Sequence, residues 1–356
     1  MGKKVVSIVT AVLMVSSLLT GCLPSGDKTV TPVPAASDSA AKPTNGKVKV
    51  IKVSNGVAQS HPAVVALNEK FKKIVEEKTN GRYKVEVYFS NQLGDDVKAT
   101  EAVRAGTLEA CMTSTAPLVG FAKELAIFDI PFLFPNEKVA DAVLDGPIGQ
   151  RLSDLVPDKG LINLAWAENG FRDLTNSVRE VKTPADLKGM KIRTMENAFH
   201  LEAWKLMGAN PTPMSWSEVF TALQQKAIDG QENPVPNFYS AKIHEVNKYI
   251  TLTGHIYSPF MFLFSKNIFD TYPKEDQAII RAAAVETALY ERQLNREATV
   301  KDLEAIKKEG GIVTELTPDQ KNVFKDLTTP VWNHVADKVG KELVDQLKDE
   351  IAKANK

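Results

Sequence analysis

The five histidines, His61, His200, His244, His255 and His334, lack the H-x-x-H or H-E-x-x-H spacing that puts two imidazoles on one metal. No G-x-S-x-G elbow, P-loop or G-x-G-x-x-G turn is present. The chain thus offers no pair for nucleophilic, metal or dinucleotide chemistry; no catalytic residue, metal or cofactor is expected. What it does offer is arginine beside strand ends. Arg172, in NGFR, lies just past the apolar run LINLAWA, and Arg193, in KIRTMEN, ends a short strand before a helix start. A guanidinium is a planar fork that matches a carboxylate with two parallel hydrogen bonds, which lysine cannot do. Helix N-termini favour negative charge, and ligands of open α/β sheets gather outside the carboxyl ends of strands. An unpaired buried guanidinium is costly. Each arginine is therefore a solvated surface charge, the partner of a buried acid, or the anchor of an anion site. Glu196, three residues after Arg193, is placed to hold that arginine rather than to transfer protons.

The elements that must position these residues alternate strand and helix. KVKVIKVSN (47–55) reads as a strand and HPAVVALNEKFKKIVEEKTNG as an amphipathic helix closed by Gly81. YKVEVYFS is a strand and VKATEAVRAGT a helix, followed by the apolar stretches LEACMTST and LAIFDIPFLF. This is α/β patterning with a mostly parallel sheet. A second α/β unit begins near Asn169, where LINLAWAENG reaches a turn. KTPADLKGMKIRT encodes a small helix with Thr183 as N-cap, Pro184 at N1, Asp186 at N3 and Gly189 as stop, then the strand MKIRT. AFHLEAWKLMG follows with Asn197 as N-cap and Gly208 as stop, and Met195, Phe199 and Trp204 are assigned to packing. Ser215 and Glu218 have capping-box spacing, which puts Trp216 on the first turn of the next helix. From Pro273 to Glu309 the pattern is helical without internal Gly or Pro, roughly 50 Å at 1.5 Å per residue. Either one helix lies across the molecule as a strut, or two meet at a bend.

The N-terminus, MGKKVVSIVTAVLMVSSLLTGC, has a basic start and an apolar run too short to span a membrane. Its end, Leu19-Thr20-Gly21-Cys22, has the form of a lipobox, in which Cys22 carries lipid; an ordinary signal peptide with a chance cysteine is the alternative. Residues 22–47, rich in Pro, Ser, Ala and Thr, read as a lipidated flexible tether after a signal peptide over 1–21. With Cys22 on lipid, Cys111 alone remains, which excludes a disulfide framework; a buried, inert thiol is expected there. Lys+Arg and Asp+Glu both number 44, so no charge excess favours nucleic acid. No later segment is apolar enough to span a membrane either, and no short internal repeat is visible.

From about residue 48 to near the C-terminus the ordered motifs GRYKVEVYFSNQLGDD, LDGPIGQ, NGFRDLTN, KTPADLKGMKIRTMEN, GANPTPMSWSEVFTALQQKAIDGQENP and HEVNKYITLTGH are specific in combination. Together they resemble the DctP-type substrate-binding proteins of tripartite ATP-independent periplasmic (TRAP) transporters. The resemblance implies a two-domain periplasmic-binding-protein fold of type II kind that closes around an organic anion, with one long helix crossing both domains. The boundaries expected are about 48–170 plus 259–298 for domain I and 171–258 plus 299–350 for domain II. It places the ligand carboxylate on Arg193 and Asn233, a second pocket arginine at Arg172 and an aromatic floor at Trp216. Ser114 is a further pocket position, and Asn197 and Asp95 are rim positions. His61 is expected to cap a helix or lie at the surface. Glu196, if it faces the pocket, would repel a second carboxylate and favour hydroxyl groups; sugar acids, sulfonates and C4-dicarboxylates all stay open. The implied partners are a small organic acid and the small and large membrane subunits of the transporter, with membrane contact through the lipid. The implied protein is an extracytoplasmic, lipid-anchored monomer without enzymatic activity. A binding protein of an ATP-driven system and a sensor of the same ligands are the alternatives.

Overall fold

The computed structural model describes residues 47–356. The expected signal peptide, Cys22 and the tether up to residue 46 lie outside the described residues. The strands are β1 (Lys49–Asn55), β2 (Tyr83–Tyr88), β3 (Ala110–Ser114), β4 (Leu161–Asn176), β5 (Lys191–Thr194), β6 (Asn210–Pro213), β7 (Gly230–Asn233), β8 (Tyr249–Ser265) and β9 (Ile312–Glu315). They form one sheet in the order β2-β1-β3-β8-β4-β7-β5-β6, with β9 paired to β8 off this path. The helices that bear on the site are α1 (Pro62–Ala66), α2 (Asp96–Ala105), α3 (Ala198–Leu206), α4 (Trp216–Gln224), α5 (Val235–Ser240) and α6 (Lys274–Lys308).

The outer pairs β1–β2, β1–β3, β5–β6, β5–β7 and β8–β9 are parallel, as the alternating pattern predicts. The centre is not. There β8 runs antiparallel to β3 and to β4, and β4 antiparallel to β7. Reversal at the centre means that β1 and β3 enter from one side and β5 and β7 from the other. Their carboxyl ends consequently point at the same place.

Both faces of the sheet are covered, so β8 is a continuous apolar run rather than an alternating one. Met261 and Leu263 pack with Val103, Phe128 and Val331 on one face, while Phe260, Phe262 and Phe264 pack with Val53, Phe71 and Ile280 on the other. Towards β5 and β7, separate clusters form around Ile192, Trp204 and Phe324, and around Val219, Phe238 and Ile250.

Two local expectations need correction. LINLAWAENG does not stop at a turn: β4 runs on through Asn169 and Gly170 to Asn176. Its pairing with β8 shifts register between Glu168 and Gly170, and Gly170 has a φ of +116°, which only glycine takes without strain. The irregular backbone is satisfied from α6. Asn295 donates to the carbonyls of Glu168 and Asn169 (2.7 and 3.0 Å), and Glu291 accepts the Glu168 N–H at 2.8 Å. The second correction concerns α4: Ser215 is its N-cap residue but makes no side-chain capping bond, its hydroxyl lying 3.2 Å from that of Ser217 instead. By contrast, Thr183 and Asp186 form the expected capping box, and the Asn197 side chain caps α3.

Helix α6 is one uninterrupted helix of 35 residues, about 52 Å long, not a bent pair. It packs on α1, on β4 and on α5, and so braces both ends of the sheet. Cys111 is buried, and burial pushes its thiol up to about 12, which leaves it protonated and inert.

Candidate ligand-binding site

The converging strand ends enclose a cavity. Asn55 and Ser114 end β1 and β3 on one wall; Arg193 of β5 and Asn233 of β7 face them. Trp216 at the start of α4, Asn169 at the β4 irregularity, Asn237 of α5 and Phe260 of β8 complete the floor and sides. The space amounts to about 530 Å³, part of it open to solvent.

Arg193 is 2% exposed, so it is not a solvated surface charge. Its Nε and Nη2 both donate to the Met214 carbonyl (2.8 and 2.6 Å), and its guanidinium lies 5.6 Å from the Trp216 ring centre. Nη1 has no partner among the described residues, and no carboxylate lies within ion-pair distance. Burial depresses its pKa to about 10, although Glu232 pulls the other way. A buried cation forked onto one carbonyl, with its third nitrogen unused, has donor capacity left over.

Arg172 is placed differently from expectation. It sits mid-strand, fully buried, and the cavity lining does not include it. Glu232 takes it in a two-point ion pair, Nε to Oε2 at 2.5 Å and Nη2 to Oε1 at 2.9 Å, and Nη2 also meets the Glu232 carbonyl at 2.6 Å. His255 adds a contact to Glu232 Oε2 at 3.1 Å. Burial alone would raise the Glu232 carboxyl, but Arg172 and His255 hold it well below the usual carboxylate range. Arg172 is therefore the partner of a buried acid. Asn197 also leaves the expected rim: Oδ1 caps α3, and Nδ2 donates to the Ala116 carbonyl (2.9 Å) and Asp129 (2.7 Å).

Ser114, Asn233, Trp216, Asp95 and Glu196 do line the cavity with Arg193. Glu196 is exposed at its edge, and Asp95 is half-buried, occupied in capping α2 through Lys98 N–H at 2.9 Å. Met195, assigned to packing, also lines it, as does Ser215. Sequence reasoning missed Asp96, Asn55, Asn169 and Asn237. Asp96 has its carboxyl raised to about 6 by its enclosing surroundings, against the pull of Arg193. A signal existed for Asn237: it stands one helical turn after Asn233, and its amide donates to Asn233 Oδ1 at 3.0 Å.

One buried cation thus faces three carboxyl groups, Asp95, Asp96 and Glu196, across a cleft of amides and two serine hydroxyls. Residues 53–338 match the DctP family, described as bacterial extracellular solute-binding protein, family 7. The chain belongs to that family. Its members serve as the solute-binding components of TRAP transporters. The crystal structure of the sugar acid binding protein of Advenella mimigardefordensis in complex with galactonate superposes with a TM-score of 0.84 at 37% identity, covering 86% of this chain and 99% of that one. The 2,3-diketo-L-gulonate-binding periplasmic protein of Escherichia coli is 38% identical over 72% of this chain and 78% of its own. The C4-dicarboxylate-binding protein DctB of Bacillus subtilis is 32% identical over 84% and 85%. The family match and these folds agree with the α/β binding-protein architecture. Among the described residues no helix is long and apolar enough to cross a membrane.

Proposed function

We propose that this family member captures a small monocarboxylate bearing several hydroxyl groups, a sugar acid, and delivers it to the membrane subunits of a TRAP transporter. The observation that carries the reading is Arg193, buried and without an acid partner, on the cavity wall. The ligand carboxylate meets Arg193 Nη1 and the Asn233 amide, while Trp216 packs beneath. Asp96 and Glu196 accept hydrogen bonds from ligand hydroxyls and repel a second carboxylate, which favours aldonates over C4-dicarboxylates. Similarity to the galactonate-bound protein supports the same choice. Binding draws the β1/β3 side and the β5/β7 side together about β4, β8 and α6, as two domains; the protein binds and releases its ligand unchanged.

The test is a thermal-shift screen. Galactonate or gluconate at about 1,000 times Kd should stabilise the fold by about 4 kcal/mol, a rise of several degrees in Tm. Succinate should act only at far higher concentration. No shift with any hydroxy acid, or a stronger shift with succinate, would overturn the reading.

The same proposal has Cys22 as the lipid-bearing residue. A Cys22→Ser chain should move from the membrane fraction to the soluble fraction on cell fractionation, and retention of membrane association would remove the lipid anchor from this account.

A further inference from the structure

His61 lies behind the cavity wall rather than in it. It is fully buried, caps α1, and sits edge-on to Phe260 at 6.4 Å between ring centres. Its Nδ1 accepts the backbone N–H of Ala63 at 3.1 Å. A backbone amide cannot reverse its role, so Nδ1 carries no proton and the neutral ring must hold its proton on Nε2. Nε2 is 2.6 Å from Asn237 Oδ1. That bond orients the Asn237 amide, whose Nδ2 then donates to Asn169 Oδ1 at 2.9 Å and to Asn233 Oδ1 at 3.0 Å. With their oxygens turned towards Asn237, those two amides present their N–H groups onward. Asn169 Nδ2 gives a proton to Ser114 Oγ at 2.9 Å, and Asn233 Nδ2 reaches Gln231 Oε1 at 3.3 Å with its other N–H unused. Ser114 Oγ, having accepted, keeps its own O–H to donate.

We infer that His61 is a positioning residue that sets the hydrogen-bond polarity of the binding site, forcing Asn233 and Ser114 to face the ligand as donors. This rests on the anion-binding reading above. One fixed backbone donor at the start of α1 is thus transmitted through three amides to two groups on the cavity wall. With the opposite imidazole tautomer, Asn237 would turn over, Asn169 and Asn233 would turn with it, and carbonyl oxygens would face an anion beside Arg193. Burial supports the arrangement by lowering the ring's pKa to about 4, so that it stays neutral across the range in which the protein works.

The decisive variant is His61→Asn. Asparagine is among the best N-cap residues, so the Ala63 N–H keeps its acceptor, but the shorter side chain leaves Asn237 Oδ1 without its donor. Galactonate titrated into this variant should show a Kd raised about tenfold or more. A merely structural loss would combine independently with a change at the far end of the relay. Here Ser114→Ala should cost several-fold less affinity in the His61→Asn background than in the wild type, because the Ser114 donor is already disordered. Unchanged affinity in His61→Asn, or losses that multiply independently, would overturn the proposal. Two-dimensional ¹⁵N–¹H NMR of the wild type without ligand gives a separate reading. The Nε2–H tautomer of His61 is expected, and an Nδ1–H tautomer overturns the relay whether or not the variant folds. Should the wild type bind none of the hydroxy acids, the functional reading falls by itself, and the tautomer still decides the relay.

Discussion

Replacing Arg193 by methionine should raise the Kd for a sugar acid by about 10² to 10³ and leave the ligand-free fold as stable as before, or more so. The two effects share one cause. Removing one partner of a desolvated, hydrogen-bonded charge pair costs about 2–5 kcal/mol of binding, and every 1.4 kcal/mol is about tenfold in Kd. Without ligand, however, Arg193 is a buried cation whose only hydrogen-bond partner among the described residues is the Met214 carbonyl. An apolar side chain of similar reach removes the desolvation penalty, and such exchanges are often neutral or stabilising by about 1–4 kcal/mol. Met214 is half-exposed, so its carbonyl can take water in place of the guanidinium. Arg193→Lys should also bind poorly, since a compact ammonium cannot reproduce the planar fork that grips the Met214 carbonyl with Nε and Nη2 while aiming Nη1 at a carboxylate. Calorimetric titration alongside urea denaturation separates the effects. An unchanged Kd, or a Kd that worsens only as the fold loosens, would sink the assignment.

Glu232→Gln should destabilise the fold by about 3–5 kcal/mol, the cost of breaking a fully buried ion pair at one end. Arg172 would be left without its anion, and Arg193 already repels it. The sign with pH follows from Glu232, whose folded pKa lies below its unfolded value. The stabilisation it confers is fully present above about pH 4.5, the ordinary glutamate value, and is lost progressively as pH falls towards the depressed folded pKa. Wild type should therefore lose stability on acidification below about pH 4.5, and the Gln variant should lack that component of the slope. Denaturant midpoints for both proteins between pH 7 and 3 measure this. Equal stability at pH 7 would mean that the pair contributes nothing net.

The two variants also separate two arginines that look alike in sequence. Each follows an apolar run, and each is a candidate for the ligand. Arg193 stands at a strand end where no acid of the described residues comes within ion-pair distance. Arg172 stands opposite Glu232 because β4 pairs antiparallel with β7, with Leu174 facing Glu232 and Asp173 facing Asn233. That pairing places one arginine in the core and leaves the other to the cavity.

By itself the sequence determined what is settled within a few turns of chain. The alternating elements, the Thr183–Asp186 capping box and the Asn197 cap all follow from nearby residues, because caps and hydrophobic periods act over three to four positions. The ordered motifs identified the family and carried Arg193, Asn233, Trp216 and Ser114 to the cavity. Only the tertiary structure decided which polar groups have partners. NGFR reads as a turn, yet β4 continues through it because Glu291 and Asn295, more than a hundred residues later, satisfy its irregular backbone. Asn197 reads as a rim residue, yet Asp129 and Ala116 take its amide. His61 reads as a cap, which it is, but the consequence of that cap for Asn233 and Ser114 passes through side chains from three separate segments. A buried donor or acceptor must be matched, and the match depends on whatever else folding brings within about 3 Å.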